Sequence, residues 1–330
     1  MGQLAIRNLT QTRIEGKTLS TSVGKIPSLV IVAAGTGSRR GHLLNLLKEE
    51  ASFNSRVIAV CSDAERADSK PLRRLQVEQL ACPAACEAVR TLPRGDDGAA
   101  SILIDLSCLA RQHIGALFSA IKHLAKQGPV DLQIAYRLAR FVKPPLHWST
   151  AIRRIAPVNN DFAGWTAAPD MPIELVIALG YEKGKAIGAA EYLEPGDTWL
   201  FVPTSPEGKY LREVQIQNKE LLQERQTKLL EYEVLSPVDA YHSLLSLVRG
   251  MRSVARPILL PFGPKVFFGL SLLVALVIEE AAVWFVDGEN TSGTDMGQPS
   301  PHAVIMSCRV EPISASAATT AQSVHLSGSV

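Results

Sequence analysis

The chain has 330 residues, with 34 Lys and Arg against 32 Asp and Glu, so its formal net charge is +2. This length allows two modest domains or one large domain. The near balance of charge excludes a protein that attracts nucleic acid or an acidic partner through its overall charge. Five scattered cysteines are typical of a reducing compartment rather than of a disulfide framework, which predicts a cytoplasmic protein.

The sequence predicts neither a metal site nor a membrane segment. Cys82 and Cys86 lack the two-residue spacing of a zinc knuckle, and no second pair completes a site. The apolar run 266–278 is shorter than the ~20 residues that cross a bilayer. Residues 1–27 are polar without an apolar core, which predicts a flexible N-terminal arm rather than a secretory signal.

A first Rossmann-like unit is predicted at residues 28–142, and it opens with a strand, a glycine loop and a helix. The loop Gly35-Thr-Gly-Ser-Arg-Arg-Gly41 has one residue more than the dinucleotide fingerprint. The letters AAGTGSRRG also resemble the AAGxGxRxG loop of sugar- and isoprenoid-type nucleotidyltransferases, although the Pro-Lys pair that follows it in those families does not follow here. Gly35, Gly37 and Arg39 are therefore candidate phosphate contacts. The alternative is a turn that only joins strand to helix.

Polar side chains end the third predicted strand of this unit. Asp105 and Ser107 close the strand, and Arg111 precedes an amphipathic helix. If the strands are parallel, these side chains share the carboxyl edge of the sheet with the glycine loop. A carboxylate there can hold a ribose hydroxyl or a metal, and an arginine can hold a phosphate. The alternative is an Asp105–Arg111 pair that only closes the loop.

Residues 143–171 lack apolar periodicity and predict a connector. A second Rossmann-like unit follows at 172–287, and the polar run 210–230 predicts an external helix in it. Residues 288–330 are rich in Ser, Thr, Gly, Ala and Pro, which predicts a disordered tail.

Two turns of the second unit carry glycine and lysine. The first strand ends at Gly180 and is followed by Glu182 and Lys183. Near the end of the unit, a strand, a Pro-Phe-Gly-Pro turn containing Gly263, and a helix that begins near Lys265 are predicted. An anion at such a helix start would meet backbone N–H groups and an ammonium. The alternative is an exposed lysine on a first turn.

The two units repeat one plan. Residues 29–47 match 174–193 as strand, glycine, basic loop and helix, and residues 102–136 match 258–287 as strand, turn, basic residue, helix and strand. The fold class predicted is α/β, with two Rossmann-like βαβ units, largely parallel sheets and a disordered C-terminal tail.

The strand–turn–helix segments at 105–111 and 263–265 resemble the ligand-binding turn of CARF-type sensor domains, as in LLPFGPKVFFGLSLLVAL. The resemblance implies a Rossmann-like module of prokaryotic antiviral systems that binds cyclic oligonucleotide messengers, usually as a dimer. Such families often carry Thr-Gly-Gly-type turns, where this chain has Pro-Phe-Gly-Pro. No nuclease or DNA-binding motif is apparent, so an effector is expected on another chain.

We therefore expect a protein that binds or senses a nucleotide, with a partner protein or a second copy of itself. The alternatives are an enzyme on the same scaffold, with Asp105 or Glu182 as base, and a non-catalytic scaffold subunit. The predicted ligand contacts are Gly35, Gly37, Arg39, Asp105, Ser107, Arg111, Gly180, Lys183, Gly263 and Lys265.

Overall fold

The computed structural model describes residues 3–15, 25–34, 39, 43, 46, 55–61, 77–143, 152–165, 168–224, 227–288 and 298–313. The strands are β1 (Leu4–Glu15), β2 (Leu29–Ala33), β3 (Arg56–Cys61), β4 (Glu78–Ala81), β5 (Ala100–Asp105), β6 (Val130–Ala139), β7 (Ile152–Pro157), β8 (Ile173–Ala178), β9 (Asp197–Thr204), β10 (Thr227–Glu233), β11 (Arg256–Pro261), β12 (Ala282–Gly288) and β13 (Pro299–Pro312). The helices are α1 (Cys82–Arg90), α2 (Arg111–Lys126), α3 (Lys185–Leu193), α4 (Gly208–Gln217), α5 (Lys219–Gln223), α6 (Pro237–Met251) and α7 (Lys265–Val277).

The strands form two mostly parallel sheets of the same plan. The first has the order β1-β13-β6-β5-β2-β3-β4, and the second has the order β10-β9-β8-β11-β12-β7. In each sheet five successive parallel strands lie in the spatial order 3-2-1-4-5, which is the doubly wound Rossmann order. One antiparallel strand extends each set beyond its fifth strand, namely β13 beside β6 and β7 beside β12. The predicted fold class is therefore confirmed, with two separate sheets.

Among the described helices, α1, α2, α6 and α7 pack between the two sheets and join them through one core. The largest apolar cluster contains Ile31 of β2, Phe118 of α2, Phe268 of α7 and Val176 of β8, together with residues of α1 and α6. Smaller clusters cover the outer faces of the sheets; on the second sheet this cover comes from α3, α4 and α5. Because both faces of the parallel strands are covered, the strands read as continuous apolar runs in the sequence.

Helix α7 lies at the centre of this layer. All eleven residues from Val266 to Leu276 are buried, which suits a helix that is apolar on every side. Within the described ranges, no helix has the length and apolarity that a membrane span requires.

The terminal segments correct two predictions. The flexible arm predicted at 1–27 is wrong for β1, and the disordered tail predicted at 288–330 is wrong for β13; residues 314–330 lie outside the described residues. The two strands pair antiparallel, and β13 lies between β1 and β6. In β13, Met306 and Cys308 face the central core while Ala303 and Ile305 face the outer one, so the segment has a strand's alternation.

The polar run predicted as one external helix divides into three elements. Helix α4 ends at Gln217, the short α5 follows, and β10 pairs parallel with β9 at the edge of the sheet. The break falls at buried Asn218, whose side-chain amide donates to the carbonyl oxygens of Gly180 and Val214, each at 2.8 Å. A polar edge strand has weak apolar periodicity, which is why this segment resembles a solvated helix in sequence.

The predicted connector is not structureless. Its strand β7 pairs with β12, and a short 3₁₀ helix, Asn160–Phe162, docks on α2. The Asp161 carboxylate accepts a short hydrogen bond from Ser119 Oγ, and Lys122 Nζ donates to the Asp161 carbonyl oxygen at 2.7 Å. These contacts fix the crossing segment against the first unit.

Candidate functional site

The ligand crevice of a Rossmann sheet lies where the strand order reverses, which here is between β2 and β5 and between β8 and β11. Helices α2 and α7 begin just beyond β5 and β11, and they contact each other. The two reversal points consequently face each other. We call this region the central junction and define it by Asp105, Ser107, Arg111, Phe262, Gly263 and Lys265.

Arg111 and Lys265 cross the central junction in opposite directions. Each is the first residue of its helix, at equivalent positions of the two units. Arg111 Nη2 donates to the carbonyl oxygens of Phe262 at 2.6 Å and Gly263 at 2.7 Å. Lys265 Nζ donates to the carbonyl oxygen of Ser107 at 3.3 Å. Two sequence-predicted cations thus come together and link the units.

Asp105 is buried close to Lys265. Its Oδ1 accepts from the backbone N–H of Ser107 at 2.9 Å, and Ser107 Oγ accepts from the backbone N–H of Arg137 at 2.8 Å. Burial raises the pKa of Asp105, and the Ser107 hydrogen bonds and the charges of Arg39 and Lys265 offset only part of this rise. The predicted Asp105–Arg111 closure does not form, since Arg111 turns to the other unit.

Arg39 is only 7% exposed, although it was predicted within a loop. Its Nη1 donates to the Arg137 carbonyl oxygen at 3.1 Å, and it also hydrogen-bonds the buried Tyr136. Arg39 therefore joins the cations around Asp105. Gly35 and Gly37 lie outside the described residues.

Sequence reasoning missed an aromatic group beside the central junction. Tyr181 and Tyr210 of the second unit lie 5.2 Å apart between ring centroids, and Phe141 of the first unit meets Tyr210 at 5.6 Å. Burial raises the pKa of Tyr181 and of Tyr210, so both phenols stay neutral. The signal was present, because Tyr181 directly follows a strand-ending glycine.

Gly180 and Gly263 serve backbone packing. A Cβ at Gly180 would lie 2.9 Å from the Phe262 carbonyl oxygen, so only glycine lets the turns after β8 and β11 touch. The Gly263 N–H donates to the Ala178 carbonyl oxygen at 3.0 Å. The Gly180 carbonyl oxygen accepts from Asn218. The Gly263 N–H and the Gly180 carbonyl oxygen therefore already have hydrogen-bond partners within the protein.

A small cavity opens beside the central junction and has a volume of about 50 Å³. Its polar lining consists of Arg111, Glu182 and Lys185, and its apolar lining includes Phe262 and Trp284. Two buried atoms near it, Arg111 Nε and Trp284 Nε1, have no hydrogen-bond partner in the part of the chain that the structure describes. Glu182 thus belongs to the site.

Lys183 is exposed, whereas its neighbour Lys185 lines this cavity. The lysine that follows β8 and lines the cavity is therefore Lys185, which sequence reasoning missed, and not the predicted Lys183. Its position is the first residue of α3, just as Arg111 and Lys265 begin their own helices.

Among the residues that the structure describes, no three His, Cys, Asp or Glu side chains gather in a way that could hold a metal ion. No family model, curated protein or solved structure matches this chain.

Proposed function

We propose that this protein is a cytoplasmic nucleotide-binding protein that holds a phosphate-bearing ligand at the central junction without turning it over. The reciprocal placement of Arg111 and Lys265 carries the proposal. Equivalent positions of two Rossmann-like units bring two cations to the edge where such sheets bind ligands.

Electrostatics favours a phosphate. Both cations donate to backbone carbonyl oxygens, which are neutral acceptors. Phosphate oxygens carry charge, and arginine can pair with them bidentately through two parallel N–H···O bonds. A phosphate at the central junction would therefore compete for Arg111 and Lys265, and Arg111 Nε would gain a partner.

The aromatic lining suits a base. Trp284 and Phe285 border the cavity, and a base stacked on an aromatic ring gains about 1–3 kcal/mol. Trp284 Nε1 could donate to a ring nitrogen or carbonyl oxygen of the base.

Binding requires the central junction to open. The cavity of about 50 Å³ has room for a few water molecules, whereas pockets for drug-sized ligands occupy ~300 Å³ or more. A nucleotide would therefore displace Arg111 from Phe262 and Gly263 and alter the contact between the units. A sensor transmits such a change between its units to another protein. The proposal therefore includes a CARF-type antiviral role, in which a partner protein or a second copy of this chain receives the signal.

The test is a thermal-shift screen with linear and cyclic nucleotides, followed by titration calorimetry with each hit and assay of the incubated ligand for products. We expect a stabilising ligand that is recovered unchanged. Arg111→Ala and Lys265→Ala should each weaken its binding about tenfold or more. The matched control is Arg252→Ala, because Arg252 is exposed and its ion pair with Glu280 is long, at 4.0 Å. Absence of any shift, or unchanged binding by Arg111→Ala, would reject the proposal.

The second candidate is an enzyme acting on a nucleotide, and the raised pKa of Asp105 favours it, because such a carboxyl can exchange a proton closer to neutral pH. Product that forms with the wild-type protein and disappears with Asp105→Asn would select this candidate.

A further inference from the structure

Two thiols that the proposed function does not use lie together at the start of α1. Cys82 is the first residue of α1, and Cys86 lies one turn later on the same face. Their Sγ atoms are 4.0 Å apart in a hydrogen-bonded S–H···S contact. Cys86 is 4% exposed and Cys82 is half-buried. Strand β4, which precedes α1 directly, is the edge strand of the described sheet, and Cys86 belongs to the central apolar cluster while Cys82 packs against it.

The Cα spacing of the pair suits a disulfide, whereas the Cβ spacing is too wide for one in a regular helix. Residues four apart in a helix have Cα atoms about 6 Å apart, which falls within the ~4.4–6.8 Å that disulfides span. The Cβ atoms of such a pair are about 5–6 Å apart, and a disulfide needs about 3.5–4.5 Å. Closure therefore requires the first turn of α1 to open locally, and among the described residues no side-chain hydrogen bond caps that turn.

We propose that Cys82 and Cys86 form a peroxide-sensitive dithiol that closes to an intrahelical disulfide. The Cys86 thiolate attacks one peroxide oxygen, forming an S–O bond and breaking the O–O bond, and the departing hydroxide takes up a proton to become water. The Cys82 sulfur then attacks the Cys86 sulfenic sulfur, forming the S–S bond, and the hydroxyl leaves as water with the Cys82 proton. Two thiols and one hydrogen peroxide thus give one disulfide and two waters.

The electrostatics of the pair favours the Cys86 sulfur as the attacking thiolate. The hydrogen bond with Cys82 and the charge of Arg90 one turn away lower the pKa of Cys86, against the effect of its burial. The same shared proton raises the pKa of Cys82. Since the thiolate is the nucleophile, Cys86 reacts with the oxidant and Cys82 resolves the sulfenic acid. By contrast, burial raises the pKa of the Cys308 thiol to about 12, which keeps that thiol unreactive.

The experiment uses the full chain, reduced, freed of reductant and treated with equimolar hydrogen peroxide. Remaining thiols are alkylated after denaturation and counted by intact mass, and the linkage is located by peptide mapping. Of the five cysteines, we expect three to be alkylated and Cys82 to be linked to Cys86, with all five recovered after dithiothreitol.

Two variants distinguish the attacking cysteine from the resolving cysteine, and a third variant serves as the control. Cys82→Ser should leave a sulfenic acid on Cys86 that dimedone traps, whereas Cys86→Ser should form no disulfide at equimolar peroxide. Cys108→Ser removes another half-buried thiol and should oxidise as the wild type does. Five alkylated cysteines in the treated wild type, a disulfide between other cysteines, or unchanged oxidation of Cys86→Ser would overturn the proposal.

Discussion

A Cβ atom at Gly263 would lie 2.5 Å from the carbonyl oxygen of Leu179. Leu179 follows β8 and Gly263 follows β11, so this close approach of two backbones sets how tightly the reversal point of the second sheet is packed. Glycine at this turn is therefore a structural requirement of the site.

We expect Gly263→Ala to destabilise the protein by about 1–3 kcal/mol, because a backbone oxygen cannot move aside as a flexible side chain can. Urea denaturation gives the measurement. The control is Gly250→Ala in α6, where a Cβ has no atom within 4 Å. Alanine should stabilise that helix by about 0.5–1 kcal/mol. Equal stability of the two variants would contradict this packing.

Arg111→Ala should lower the free energy of unfolding by about 2–3 kcal/mol, since it removes two hydrogen bonds from a charged donor across the central junction. Lys265→Ala should cost less, about 1 kcal/mol, because its contact with Ser107 is longer. Arg111→Lys, which keeps the charge but not the fork that reaches two carbonyl groups, should fall between wild type and alanine. A loss from Arg111→Ala no larger than that from Arg252→Ala would show that the cation does not hold the units together.

Asp105→Asn should alter how stability depends on pH. Burial raises the pKa of Asp105 in the folded state above its unfolded value of about 3.9. The folded state therefore binds the proton more tightly and loses stability as the pH rises from about 4 towards the folded pKa. The variant has no such group, so its stability relative to wild type should increase across that range. Denaturation curves at a series of pH values measure this, and a difference that stays flat or falls with pH would contradict it.

Asp161→Asn should change the pH dependence of stability in the opposite direction to Asp105→Asn. Burial alone would raise the pKa of Asp161, but the hydrogen bond from Ser119 and the charges of His123 and Lys122 lower it overall. The carboxylate therefore stabilises the fold above its unfolded pKa of about 3.9, and this contribution disappears as the pH falls through the lower folded value. We expect the variant to be about 1 kcal/mol less stable than wild type at neutral pH, with the two converging in acid. If the difference in stability between the variant and wild type persists at the lowest pH at which both proteins fold, this assignment is wrong.

The amino-acid sequence alone determined the α/β class, the repeated plan and the cations at the helix starts, because buried parallel strands and their turns leave strong local signals. Arg111 and Lys265 could be selected in this way, since each follows a strand-ending turn.

The tertiary structure decided which elements meet. Strand β13 pairs with a strand that precedes it by more than 150 residues, and β1 pairs with β13 from the other end of the chain, so local composition could not reveal either partner. Local sequence could also not reveal that Arg111 hydrogen-bonds Phe262 or that Gly263 packs against Leu179. Both contacts depend on how the two sheets pack through their shared helices. Apolar periodicity shows which face of a segment is buried, but only the assembled core shows which residues cover that face.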